Sequence, residues 1–130
     1  MSGPGITLDT GALIALERGQ AGMRRRMLRA RALGIAVTVP SVVLAEWWRA
    51  GFGRKHRDIL APMFVEPTSE RVAKAAGLAL SLASASVVDA IVMASAALRG
   101  DVVFTSDLDD LSSLQRHFPA VRLFGTSGQV

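Results

Sequence analysis

A chain of 130 residues has material for one hydrophobic core and is too short to split into two. Half of it is hydrophobic and a fifth is charged, which excludes intrinsic disorder, and the lack of Cys excludes disulfide scaffolds, thiolate zinc sites and cysteine nucleophiles. The formal charge is +4, and thirteen of the fifteen basic residues are Arg, the side chain suited to bidentate contact with phosphate or carboxylate.

Residues 1–5 have neither the basic start nor the apolar stretch of an export signal, which with the missing Cys predicts a cytoplasmic protein. Ile6-Thr7-Leu8 predicts a strand and 10–18 a helix stopped by Gly19. A helix over 21–33 carries Arg24, Arg25, Arg26, Arg29 and Arg31, with Gly34 placed to end it. The β-branched run 35–39 predicts a strand. Pro40-Ser41 opens a helix to about Ala50, and Gly51-Phe52-Gly53 separates it from a basic helix with Arg54, Lys55, His56 and Arg57. Strands follow at 63–66, 102–105 and 121–124, and helices at 68–83, 86–99 and 108–117.

The stretch 75–98 carries a single charge and is long enough to span a bilayer. Asp89 near its middle would cost roughly 2.5–3.5 kcal/mol there, so two buried helices joined near Ser84 to Ser86 are expected and no membrane association. The whole predicts one domain over 1–130 with flexible ends at 1–5 and 126–130. Its class is α/β, a three-layer α/β/α arrangement around a mainly parallel sheet of four to five strands.

Such sheets bind ligands beyond the carboxyl ends of their strands. Asp9 directly follows the first strand, and Asp107 lies two residues past Thr105. Glu46 and Asp89 are each a lone acid in an apolar helix, where a carboxylate is costly unless paired or bound to a cation. Three of the four also suit a structural reading: Asp9 and Asp107 as N-caps, and Asp89 as the last residue of a Ser86-Val87-Val88-Asp89 capping box. Glu46 lies beyond the first turn of its helix and has no such reading. The only histidines, His56 and His117, have polar or basic neighbours, which predicts surface positions. A donor set of carboxylates alone selects Mg²⁺ or Mn²⁺ over zinc, and four acids around one or two such ions suit water attack on a phosphodiester. Crowded carboxylates should also have raised pKa values.

The segments Ile6-Thr7-Leu8-Asp9-Thr10-Gly11-Ala12-Leu13, Val39-Pro40-Ser41-Val42-Val43-Leu44-Ala45-Glu46, Val87-Val88-Asp89-Ala90-Ile91-Val92-Met93-Ala94 and Val103-Phe104-Thr105-Ser106-Asp107-Leu108-Asp109-Asp110-Leu111 together resemble the PIN-domain family, in its order and over nearly the whole chain. Within it they resemble the VapC-type toxins of bacterial toxin–antitoxin pairs. The resemblance implies a PIN-like fold and a metal-dependent endoribonuclease that leaves a 5′-phosphate and a 3′-hydroxyl. It implies Asp9, Asp89, Asp107 and Glu46 as both catalytic residues and ligands of one or two Mg²⁺ or Mn²⁺ ions. Asp110, better placed than Asp109, would assist, and Thr10, Thr105 and Ser106 would orient the first carboxylate or the attacking water. It further implies a small VapB-like antitoxin as partner, single-stranded or structured RNA as substrate, and a homodimer or a hetero-oligomer with the antitoxin.

Arg54, Lys55 and Arg57 are the basic residues nearest the acids in sequence and are expected to contact RNA phosphates. Trp47 and Trp48, adjacent on one helix, point about 100° apart, so one should be core and the other available to an antitoxin groove. A dehalogenase-type phosphatase also begins with Asp after the first strand, but it needs a second Asp where this chain has Gly11. A catalytically silent PIN-like RNA- or protein-binding module would lack the acids, and all four are present. Without them, fifteen basic residues face seven acidic ones, so +4 conceals a basic body around an acidic pocket.

Overall fold

The computed structural model of the chain describes residues 4–126. Its elements are β1 (Ile6–Leu8), α1 (Thr10–Glu17), α2 (Ala21–Ala32), β2 (Val37–Pro40), α3 (Ser41–Trp48), α4 (Arg54–Leu60), β3 (Phe64–Glu66), α5 (Glu70–Leu80), α6 (Val87–Arg99), β4 (Val102–Thr105), α7 (Leu108–Gln115) and β5 (Leu123–Gly125). The strands form one sheet in the order β3-β2-β1-β4-β5, and every pairing is parallel. Helices flank it, giving the expected three-layer α/β/α fold. Chain order runs outward from β1 in both directions, through β2 and β3 on one side and β4 and β5 on the other. The crevice beyond the carboxyl ends of β1 and β4 is therefore the topological switch point, where such folds bind ligands.

Burial explains why the central strands are made of apolar and β-branched residues without a charge. All three residues of β1 and all four of β2 are buried, Thr7 and Thr38 included, because a parallel strand covered on both faces has no solvent side. The core is aliphatic, with Leu8, Leu13, Val39, Val43, Val92, Met93, Val103, Leu111 and Leu114 fully enclosed. Residues 75–98 form two helices: α5 ends at Leu80, and Ser86 caps α6 by accepting the Asp89 N–H at 3.0 Å. Among the described residues no helix is long and apolar enough to cross a membrane.

Several boundaries differ from the sequence expectation for local reasons. Residues 35–36 are not strand, because Gly34 turns the chain with φ +69° and the Ile35 N–H closes α2 on the Ala30 carbonyl. The last strand starts at Leu123; the Val121 N–H is spent on a turn to the Phe118 carbonyl, and the Val121 carbonyl accepts from Gln115 Nε2 at 2.8 Å. Of the expected flexible ends, 1–3 and 127–130 lie outside the described residues. Thr126 is buried and donates its N–H to the Thr105 carbonyl at 3.0 Å, and the Gly5 carbonyl accepts from the Val102 N–H, so both are tied to the sheet.

A polar network crosses the layer between α6 and the sheet. Arg99 donates from Nε to Asp101 Oδ2 at 3.0 Å, from Nη1 to Ser95 Oγ at 2.7 Å and from Nη2 to Thr7 Oγ1 at 2.6 Å, and it pairs with Glu66. The two hydroxyls pass the bonding on: Thr7 donates to Asp101 Oδ2 and Ser95 to Glu66 Oε1. Burial raises the Glu66 pKa, but hydrogen bonds from Arg99 and Ser95 and the Arg99 charge outweigh it and leave the carboxyl below its usual value. One guanidinium thus joins α6 to β1, to β3 and to the start of β4.

Candidate active site

Asp9 is the first residue past β1. Its N–H bonds the Phe104 carbonyl at 3.3 Å, extending the pairing of β1 with β4, and its side chain caps α1 by accepting the Ala12 N–H at 2.8 Å. It is only 7% exposed. Burial is the main cause that raises its pKa to about 6; hydrogen bonding from Thr105 and the Ala12 N–H opposes the rise, and the charges of Asp89 and Asp107 add to it.

The turn after β4 supplies Asp107, which caps α7 by accepting the Asp110 N–H at 3.3 Å while its own N–H donates to Thr105 Oγ1 at 2.8 Å. Thr105 is fully buried and lies between the two aspartates, touching the backbone of one and the carboxylate of the other. Asp89 enters from the first turn of α6. Its pKa is raised, first by burial and then by Asp107 and Glu46, against hydrogen bonding from Ser86. Glu46 sits on α3 and accepts from Thr10 Oγ1 at 2.5 Å, which ties it to the residue after Asp9. Asp110, fully exposed, is raised by hydrogen bonding and charge from Asp107, and it feels Asp89 too.

The fold therefore brings Asp9, Glu46, Asp89 and Asp107 to one edge with Thr10, Thr105 and Asp110 among them. Asp9 and Asp107 also perform their capping roles, whereas at the start of α6 the cap is Ser86, which accepts the Asp89 N–H. Asp109, adjacent to Asp110, enters only the field of Asp110, so Asp110 is the closer companion of the cluster. In this arrangement no three acids among the described residues stand close enough to enclose one metal ion. The donor set still fits a hard divalent cation: every candidate ligand is a carboxylate, and a bound cation would offset both the burial that chiefly raises Asp9 and Asp89 and the neighbouring charges that add to it.

The PIN domain family matches residues 6–116. The chain belongs to the PIN-domain family. Several solved structures resemble it over almost their full length. VapBC2 from Rickettsia felis, bound to a DNA fragment from its promoter, matches with a TM-score of 0.71 at 15% identity, covering 92% of this chain and 97% of that one. DNA-bound VapBC from Salmonella typhimurium matches with a TM-score of 0.71 at 18% identity, covering 95% and 98%. FitAcB from Neisseria gonorrhoeae matches with a TM-score of 0.63 at 20% identity, covering 93% and 97%. At these identities the likeness is one of fold. No curated protein sequence matches the chain.

Around this PIN site the remaining expected residues separate. Trp47 is the core member of its pair, 1% exposed, donating Nε1–H to Glu17 Oε1 at 3.0 Å, whereas Trp48 is half-buried and stacks near the exposed Phe52. Arg54, Lys55 and Arg57 are exposed; Arg57 donates to the Phe52 carbonyl at 3.0 Å, and Arg54 pairs loosely with Asp58 at 3.8 Å. Arg26, one of the five arginines of α2, instead buttresses the sheet, donating to the Gly125 carbonyl and lying 5.2 Å over the Phe104 ring.

The histidines are not where their neighbours suggested. His56 is buried against the Trp47 ring at 4.7 Å, with Nε2 3.4 Å from Glu17 Oε2. The side chain folds into space beside Gly51, where a Cβ would meet its ring at 2.7 Å. His117 is half-buried, with Nε2 enclosed. The sequence also gives no sign of the contact between Gly11 and Ser106, nor of a role for Glu66, an acid ending a strand just as Asp9 follows one. A residue alone in sequence gives no sign that its partner, Arg99, stands across the fold.

Proposed function

We propose that this PIN domain is the toxin of a toxin–antitoxin pair, a Mg²⁺- or Mn²⁺-dependent endoribonuclease whose site is Asp9, Glu46, Asp89 and Asp107. The observation that carries the reading is the convergence of four acids, from the end of β1, from α3, from α6 and from the β4–α7 turn, at the switch point of a PIN fold. Asp9, Asp89 and Asp107 would hold the cation, in part through water, and Glu46 would take a second ion or direct the attacking water. When bound, the ion acidifies water and offsets the charge that builds on the attacked phosphate.

The chain's own groups prepare that chemistry. Thr10 occupies one oxygen of Glu46, leaving the other to receive a proton from water. Thr105 fixes the Asp9 carboxylate and the Asp107 backbone relative to each other, so two donors on different loops keep one separation. Asp110 supports Asp107. Substitution Asp89→Asn is expected to lower RNA cleavage at least ~10³-fold, with an unchanged circular dichroism spectrum and no loss of thermal midpoint, because the raised pKa marks ionised Asp89 as a burden to the metal-free fold. A cleanly purified variant that still cuts RNA would remove this site from the reaction.

Arg54 and Lys55 rim an open trough with Arg24, over a floor of Leu16, Met27, Leu28 and Ile59. We assign the basic rim to RNA phosphates. Arg54→Ala with Lys55→Ala should weaken RNA binding at low salt and take roughly 0.7 off the salt slope for each phosphate no longer neutralised, leaving Mn²⁺ affinity unchanged. A salt slope equal to that of the parent would exclude these residues from the RNA path. Partner binding is assigned to apolar surface of this kind and to the Trp48–Phe52 ledge, with Trp47 only supporting it from the core. The alternative, a PIN fold that binds RNA or protein without cutting, draws on the spacing of the acids, which among the described residues form no closed group of three. A Mn²⁺ titration separates the two, since a silent module has no site that disappears with Asp9→Ala.

A further inference from the structure

We infer that Gly11 is a positioning residue: by lacking a side chain it lets Ser106 lie against the first turn of α1 and so sets where Asp107 stands relative to Asp9. This rests on the metal-dependent reading above. A Cβ at Gly11 would fall 1.7 Å from Ser106 Oγ, 2.7 Å from Ser106 Cβ and 3.4 Å from the Ser106 amide nitrogen. The hydroxyl could rotate away, but Cβ is fixed by the backbone, so a methyl group at position 11 requires the β4–α7 turn itself to move.

That turn has little freedom to absorb the movement. The Asp107 N–H is held by Thr105 Oγ1 at 2.8 Å, the Asp107 side chain caps α7, and the Thr105 carbonyl accepts from Thr126 at 3.0 Å. Displacing Ser106 therefore displaces Asp107, and ligand geometry tolerates only about 0.5 Å.

The glycine has no conformational reason to be there. The described glycines with positive φ are Gly19, Gly34 and Gly100, each at the end of a helix, whereas Gly11 lies inside α1, where glycine is a poorer helix former than alanine. Gly77, also within a helix, has nothing within 4 Å of its absent Cβ. Contact with Ser106 is what distinguishes position 11.

The test compares Mn²⁺ affinity, by calorimetric titration, and thermal midpoint in the full chain, in Gly11→Ala, in Ser106→Gly and in the double variant. With Ser106 present, Gly11→Ala should weaken Mn²⁺ binding about tenfold and lower the midpoint. In the Ser106→Gly background the same substitution should change affinity less than about twofold and raise the midpoint, because only its helix preference remains. An equal loss in both backgrounds, or no loss in Gly11→Ala while the parent binds Mn²⁺, would overturn the inference. A parent chain that binds no Mn²⁺ would overturn the metal-dependent reading itself, and this inference with it.

Discussion

Replacing Asp9 with Asn is expected to stabilise the metal-free protein at pH 7.5 by about 2–3 kcal/mol while abolishing Mn²⁺ binding and RNA cleavage. Burial above all, and then Asp89 and Asp107, raise the Asp9 carboxyl from 3.8 to about 6, against hydrogen bonding from Thr105 and the Ala12 amide. The folded chain therefore holds this proton more tightly than the unfolded chain. Its contribution to stability is fully present below about pH 4, is lost as pH rises towards about 6, and is absent above that. A shift of this size corresponds to roughly 3 kcal/mol. Asn carries no charge and serves as well as Asp at an N-cap, so the bond to the Ala12 N–H survives. Urea denaturation in chelator should show the gain at pH 8 and its near-disappearance at pH 4. A variant less stable than the parent at pH 8 would mean that the Asp9 charge is compensated within the fold. Because the cation needs the ionised carboxylate, Mn²⁺ affinity of the parent should fall as pH drops through about 6, with proton release on binding near and below that pH and none well above it.

The largest loss of stability is expected at the other end of α6. Substituting Arg99 by Ala leaves the buried Asp101 and the partly buried Glu66 without their cation, and strips the acceptors Ser95 and Thr7 of a donor. Breaking one side of such a pair costs about 3–5 kcal/mol in a dry interior; with Arg99 23% and Glu66 32% exposed, about 3 kcal/mol is the expected loss. Adding Glu66→Gln and Asp101→Asn should restore a substantial part of it, since the penalty lies in the charges left behind more than in the missing hydrogen bonds. Denaturation midpoints of the single and triple variants measure this. An Arg99→Ala protein as stable as the parent would show that water reaches both carboxylates.

These two sites differ in how far the sequence reveals them. Each of the four acids sits in a local setting that announces it: Asp9 and Asp107 follow strands, and Glu46 and Asp89 interrupt apolar helices. The choice between cap and active-site acid was never exclusive, because a helix that starts at the carboxyl end of a parallel strand places its N-cap at the ligand-binding edge. Asp9 and Asp107 each cap a helix and stand at that edge. The elements were legible for the same reason, since buried parallel strands are β-branched runs and helix ends carry Gly19, Gly34, Ser86 and Gly100.

What stayed hidden depends on contacts between distant residues. Thr7 and Asp101 bond across 94 positions, and nothing near either foretells it. His56 looks basic and exposed in its tetrapeptide, yet it is drawn under Trp47 through room left by Gly51. Gly11 was informative in the sequence only as the residue that excludes a phosphatase; its contact with Ser106 exists because β1 and β4 are neighbours, which pairing alone decides.

Cleavage of RNA by the purified chain tests the central claim most directly. With Mn²⁺ present, the parent should generate new 5′-phosphate ends at defined positions, chelator should abolish them, and Asp89→Asn and Asp9→Asn should produce none while remaining folded. Ends that persist in chelator, or that appear equally with the folded Asp89→Asn and Asp9→Asn variants, would contradict a metal-dependent nuclease built on these acids.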